Sequence, residues 1–92
     1  MEFEWDDAKR YSNIEKHGID FIAAKDVFLS FTLIVETSYR RLGERRFLAI
    51  GPLEGIFVVV VFTERGQVRR LISARRASDY EERLYNQALQ AW

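Results

Sequence analysis

The sequence predicts an α+β domain with two N-terminal helices, a four-stranded antiparallel sheet and a C-terminal helix. Three observations lead there. Residues 56–62, Ile-Phe-Val-Val-Val-Val-Phe, are β-branched or aromatic throughout and apolar on both faces, which marks a central strand. The connections around this run are short and made of turn formers, Gly51-Pro52-Leu53-Glu54-Gly55 before it and Glu64-Arg65-Gly66-Gln67 after it. Such connections force antiparallel neighbours, because a parallel return needs a crossover of a dozen residues or more. Helix signals lie at the two ends of the chain rather than between strands, which separates α+β from an alternating α/β pattern.

Phe3-Glu4-Trp5 alternates apolar and polar and reads as a short extended lead-in packed on the core. Asp6 or Asp7 then caps a helix to about Lys16. Lys16-His17 stands at its end, as the helix dipole favours, and Gly18 stops it. Ala8, Tyr11 and Ile14 form its inward stripe, while Lys9, Asn13 and His17, each four apart, form a separate polar ridge. Asp20 caps a second, short helix over residues 21 to about 28, with Phe21, Ala24 and Phe28 on one side. Residues 32–37 are a first strand, 38–43 a basic loop and 45–50 a second strand. The central strand follows, and residues 68–73 complete the meander as the fourth. Ser78 and Glu81 make the capping box of a last helix to about Gln90. Tyr80, Leu84 and Ala88 lie along one stripe of it, with Tyr85, Leu89 and Trp92 beside them.

At 92 residues the chain is read as one domain, 1–92, with no repeat, linker or low-complexity stretch dividing it. It has no cysteine, which removes disulfides, thiol nucleophiles and thiolate metal sites. No segment is apolar for the roughly 20 residues a membrane span needs, and the acidic start lacks a secretory apolar core. The expectation is a soluble, cytoplasmic protein with no membrane partner. Formal net charge is zero but unevenly spread: residues 1–36 hold eight acids against four bases, and residues 37–80 hold nine arginines against four acids. Neutrality hides a basic half, and its arginine forks suit phosphate or carboxylate. An ordinary solvated surface is the plain alternative.

Familiar chemical devices are missing. There is no glycine-rich phosphate loop and no HExxH pair, and one histidine argues against a histidine-based metal centre. Ser73, Ser78 and His17 do not make a hydrolase, because Ser78 is better used as a cap and nothing marks an oxyanion hole. No cofactor or metal is expected. What remains is Arg69-Arg70-Leu71-Ile72-Ser73-Ala74-Arg75-Arg76. Arg69 and Arg70, adjacent on a strand, point to opposite faces. Arg75 and Arg76 fall between strand and helix, ahead of a helix start whose free N–H groups attract anions, and form a candidate phosphate site. The alternative is that one of them pairs with Glu81, Glu82 or a first-helix acid and merely ties the last helix down. A ribonuclease without a metal needs little more. The RNA 2′-hydroxyl is the nucleophile, cations orient the phosphate and spread its charge, and a histidine such as His17 moves protons. His17 also has a structural reading, as a favourable charge at a helix end.

Four pieces stand in order along the chain: Phe3-Glu4-Trp5-Asp6 with Lys9, Asn13 and Lys16-His17-Gly18; Phe21 with Ala24 and Phe28; Gly43-Glu44-Arg45-Arg46 before Ile50-Gly51; and Arg70-Leu71-Ile72-Ser73-Ala74-Arg75-Arg76-Ala77 leading to Glu81 and Tyr85. Together they resemble the BrnT family of bacterial toxins from type II toxin–antitoxin systems. The resemblance implies a RelE-like ribonuclease fold that cleaves RNA and halts translation. It also implies neutralisation by a BrnA-like ribbon–helix–helix antitoxin, with promoter DNA bound mainly through the complex. Position by position it implies His17, Lys9, Arg46, Arg75 and Arg76 as the catalytic set. In the resulting reading Arg75 and Arg76 clamp the scissile phosphate, Lys9 and Arg46 add electrostatic contacts, and His17 is general base or acid. Arg45, Arg65, Arg70, Tyr80 and Tyr85 are the RNA-binding candidates, the tyrosines for stacking or proton shuttling. The rival is a non-catalytic module binding an antitoxin-like or acidic partner protein through its basic surface or an open strand edge. Zero net charge and the lack of a recognition helix count against direct DNA binding.

Overall fold

The computed structural model describes residues 1–41 and 43–91, and of residues 39–41 the backbone alone. Along the chain run β1 (Glu2–Glu4), α1 (Asp7–His17), α2 (Phe21–Ala24), a 3-10 turn (Lys25–Leu29), β2 (Leu33–Arg41), β3 (Glu44–Leu53), β4 (Ile56–Arg65), β5 (Val68–Arg76) and α3 (Asp79–Ala91). The α+β class and the placement of the helices match expectation. The sheet does not: it has five strands, not four, in the order β1-β5-β4-β3-β2. Strands β2 to β5 form the antiparallel meander, and β1 joins the far edge in parallel through Glu2↔Val68, Phe3↔Arg69 and Glu4↔Arg70. Most of the chain separates β1 from β5, so the crossover that parallel pairing requires is available. The expected basic loop at 38–43 is mostly strand, since β2 continues to Arg41 after a register shift between Glu36 and Arg40. Leu42 of that loop, and Trp92 beyond α3, lie outside the described residues.

Local chemistry sets the helix ends. Asp6 accepts from the N–H groups of Ala8 (2.8 Å) and Lys9 (3.3 Å), and Gly18 closes α1 at φ 70°. Asp20 accepts from the Ile22 N–H. In the capping box of α3, the Glu81 N–H donates to Ser78 Oγ (3.2 Å) and the Ser78 N–H to Glu81 Oε1 (2.9 Å).

Both faces of β4 are covered. Val58, Val60 and Phe62 pack with Leu71 and Ala74 against Phe21, Ala24 and Val27, and Phe3, Trp5 and Phe28 close the margin. On the other face Val59 and Ile50 meet Tyr85 of α3, with Phe31 and Phe57 beside them. Burying each of Val58, Val59 and Val60 contributes roughly 1.5–3 kcal/mol. Pro52 is tolerated in β3 because β2 stops pairing at Ile50, which leaves Pro52 on a local edge.

Two departures from expectation position the site. First, α1 is turned over. Tyr11 is 59% exposed, Ile14 and Ala8 are also exposed, and the one buried residue of the helix is Asn13 (5%). Second, β5 runs on to Arg76, with a register shift: Phe62 pairs with Leu71 but Val61 with Ser73, so Ile72 is an extra residue. The shift puts Arg70, Ser73 and Arg75 on the α3 face, opposite Thr63, Val61 and Val59. Arg69 and Arg76 are on the other face, opposite Glu64 and Val58.

Candidate functional site

α3 meets its sheet face around Ile50, Phe57 and Val59. The other end of that face stays open, presenting Arg46, Thr63, Arg65, Arg70 and Ile72, and the start of α1 walls it with Asp6 and Lys9. This concavity holds about 300 Å³. A second, of about 240 Å³, lies further along α1, between Ser12, Lys16 and His17 on the helix and Ser73 on β5. Lys9 and Ile72 line both, so the two make one groove running from Arg46 to His17.

The groove exists because of how α1 is held. β1 pairs with three residues of β5, and beyond Arg70 the edge of β5 has no strand partner among the described residues. Asn13 supplies one: its amide NH₂ donates to the carbonyl of Ala74 (2.9 Å), and its Oδ1 accepts from the Ala74 N–H (3.1 Å). The same NH₂ donates to the carbonyl of Ile19 (2.8 Å), and the Ser73 hydroxyl donates to Oδ1 (3.3 Å). An exposed strand edge demands hydrogen bonds that no apolar stripe can give, so the polar ridge turns inward and Tyr11 faces water. Arg10 then ties α1 to the start of α2 through Asp20 (2.8 and 3.0 Å). That guanidinium, with the Ile22 N–H, holds the Asp20 carboxyl down at about 2.

Charge in the groove is partly neutralised. Arg65 donates to both oxygens of Glu44 (2.9 and 3.2 Å), and Arg70 donates to Glu4. The Arg65 fork keeps the Glu44 carboxyl below its usual range. Lys9, Lys16 and His17 make no side-chain ion pair or hydrogen bond among the described residues. Thr63, 2% exposed, has a hydroxyl oxygen sealed from solvent and, among the described residues, without a hydrogen-bond partner.

Of the residues singled out by sequence, Lys9, His17, Arg46, Arg65 and Arg70 meet along this groove. Arg75 and Arg76 do not line it, and as strand neighbours they point to opposite faces, which a shared clamp on one phosphate cannot use. Arg75 is held in a bidentate pair by Glu81 (2.8 and 2.8 Å), the tethering alternative. Its hydrogen bonds, helped by the Ser78 N–H, pull the Glu81 carboxyl down to about 2. Arg45 lies on the opposite sheet face from Arg46, paired with Glu36 and stacked 5.3 Å from the centroid of Phe47. Tyr85 is a core residue: its hydroxyl donates to the Phe31 carbonyl (3.1 Å), and its ring packs on Phe31 and Phe57, leaving 5% exposed and no surface for stacking. Tyr80 is exposed at the start of α3.

Sequence reasoning passed over Ser12, Lys16 and Thr63. The first two were accessible in principle, because Lys9, Ser12, Asn13 and Lys16 stand at i, i+3, i+4 and i+7, one uninterrupted helix face. Nothing local distinguishes Thr63 from any strand threonine. Among the described residues, no three His, Cys, Asp or Glu side chains are grouped to hold a metal ion, and no helix is long and apolar enough to cross a membrane.

A family model described as "Ribonuclease toxin, BrnT, of type II toxin-antitoxin system" matches residues 5–81. No curated protein matches the chain.

Proposed function

The chain belongs to the BrnT family, the ribonuclease toxins of type II toxin–antitoxin systems, and from that premise we propose that RNA is bound and cut in the groove between α1 and the open end of the sheet. The observation that carries the proposal is that Lys9 walls both halves of the groove, linking the β-strand cations to His17. An RNA backbone laid along it passes Lys9, Arg46, Arg65 and Arg70. Arg65 and Arg70 exchange Glu44 and Glu4 for phosphate oxygens, since a guanidinium fork accepts either anion. The 2′-oxygen attacks the adjacent phosphorus as its proton passes to a base. The bond to the 5′-oxygen breaks as that oxygen is protonated, leaving a 2′,3′-cyclic phosphate and a 5′-hydroxyl. His17 takes one of these proton steps, and the cations spread the charge of the phosphorane. Arg75 has a different place in this scheme from the one its sequence position suggested: it anchors α3, and Arg76 lies across the sheet from the groove.

The test is cleavage of a defined single-stranded RNA, with mapped ends, in the presence and absence of EDTA. A cyclic phosphate end and persistence in EDTA are the expected results. Each of Lys9→Ala, Arg46→Ala and His17→Ala lowers turnover, by roughly 10²–10³-fold where a transition-state contact is lost. Parent-like rates in all three variants would remove the groove from the reaction.

Family membership brings an antitoxin partner and an RNA target in general terms. We take the partner to be a BrnA-like ribbon–helix–helix antitoxin that reads promoter DNA, with the zero net charge of this chain leaving the DNA contact to the partner. The binding-module reading draws on the outer edge of β2, where Ile34 and Val35 are exposed. Docking there and cutting in the groove use different surfaces. Intact RNA after incubation with highly purified protein favours binding alone.

A further inference from the structure

The buried hydroxyl of Thr63 is the polar group that the groove, as described, does not explain. A hydroxyl removed from water without a partner is a cost to the folded state. Thr63 carries that cost: its oxygen is sealed from solvent and has no hydrogen-bond partner among the described residues. Its place is specific. It lies directly across from Arg70 in the β4–β5 ladder and lines the same concavity as Arg46, Arg65 and Ile72. Two of those neighbours, Arg65 and Arg70, are drawn toward Glu44 and Glu4. Both line the concavity beside Thr63, so an anion that takes over their guanidinium groups rearranges the side chains around it.

We propose that Thr63 is a substrate-contacting residue. Its hydroxyl is uncovered when Arg65 and Arg70 leave their carboxylates for an RNA phosphate, and it donates its hydrogen bond to a non-bridging oxygen of that phosphate. The inference rests on the groove being the RNA site and deepens it by naming the group at its floor. It assigns the paired arginines a second task besides attraction: with Glu4 and Glu44 they keep the hydroxyl covered until an anion arrives. Phosphate is the fitting ligand class, because the concavity around the hydroxyl carries Lys9, Arg46, Arg65 and Arg70 against the two acids Asp6 and Glu44, and the hydroxyl is the one neutral side-chain donor among them.

Thr63→Val and Thr63→Ser, made in the full chain, test this beside the parent. The readouts are thermal unfolding, cleavage of a single-stranded RNA, and affinity for the same oligonucleotide made non-cleavable by 2′-O-methylation. Thr63→Val is expected to melt at or above the parent's temperature, since it removes an unsatisfied hydroxyl, while affinity and cleavage fall roughly 10- to 100-fold. Thr63→Ser is expected to recover most of that loss. Parent-like affinity and cleavage in a folded Thr63→Val overturns the inference and leaves the groove standing, because Arg46→Ala still reports on the groove separately. A parent that neither binds nor cuts the RNA ends both. Should valine unfold the chain, Thr63→Ala against Thr63→Ser carries the comparison: alanine weaker than serine supports the contact, and equality overturns it.

Discussion

Asn13 shows how one side chain can decide which way a helix faces. Four hydrogen bonds converge on its amide, two of them satisfying both backbone groups of Ala74 as a neighbouring strand would. Truncation to alanine strands the buried N–H of Ala74 and the buried carbonyls of Ala74 and Ile19, and each orphan that water does not reach costs about 1–3 kcal/mol. Asn13→Ala is therefore expected to shift the urea midpoint downward by an amount equivalent to about 3 kcal/mol or more. Cleavage should fall even under conditions where the variant is folded, because Lys9 and His17 ride on the helix that Asn13 pins. Asn13→Asp should be no rescue, since a carboxylate can accept from the Ala74 N–H but repels the carbonyls of Ala74 and Ile19. An Asn13→Ala protein as stable as the parent would mean that water replaces the amide at the strand edge. This residue also marks where the sequence misleads. Ala8, Tyr11 and Ile14 look like a core stripe, yet they face water while Asn13 of the polar ridge is buried. An edge left bare by a three-residue β1 needs polar atoms, and that need is visible only once β1 and β5 are known to be neighbours.

At the level of elements, α3 is fastened to the sheet by Glu81, which completes the cap and grips Arg75 at once. The cap was legible from Ser78 and Glu81 alone, and pairing with Arg75 was one of two open alternatives. The extension of β5 to Arg76 and the extra residue at Ile72 were not legible, because a bulge depends on what the neighbouring strand offers rather than on local composition. The Glu81 pair has a pH signature. Its carboxyl sits at about 2 in the fold, against a usual value of 4.5. A depressed folded value gives stability that is fully present above the unfolded value and drains away as pH falls from there toward 2. Asp20, held to about 2 by Arg10, adds in the same direction. Melting temperature followed by circular dichroism from pH 7 to pH 2 should drop below about pH 4.5, and Glu81→Gln should start lower and drop less steeply. A variant curve merely displaced, with the parent's slope, would show that Glu81 does not titrate with folding. A second element-level test is Gly51 in β3. A Cβ built there lies 3.0 Å from Thr32 Cγ2 and 3.2 Å from Val27 Cγ2. Gly51→Ala is expected to destabilise by about 1–3 kcal/mol, as overpacking does, without altering the groove at the other end of the sheet.

For the whole molecule, zero net charge rules out a global field as the source of RNA affinity and leaves the work to local arrangement. The uneven halves of the sequence already showed that cations were concentrated somewhere. Where they concentrate could not be read, because strand parity sends Arg45 and Arg46, and Arg75 and Arg76, to opposite faces, and ion pairs with Glu36, Glu44, Glu4 and Glu81 occupy many of the rest. A groove of this kind makes a quantitative claim about salt. Single-stranded RNA releases counterions so that log K falls with log salt at a slope of about −0.7 per phosphate neutralised. Lys9, Arg46, Arg65 and Arg70 allow two to four such contacts, so the slope for a non-cleavable oligonucleotide should lie between about −1.4 and −2.8. Arg46→Ala should make it shallower by about 0.7, whereas Arg45→Ala and Arg76→Ala, on the far face of the sheet, should leave it where it was. Equal changes from all three substitutions would mean that RNA responds to the chain's overall charge, and that the fold's sorting of arginines between two faces plays no part in recognition.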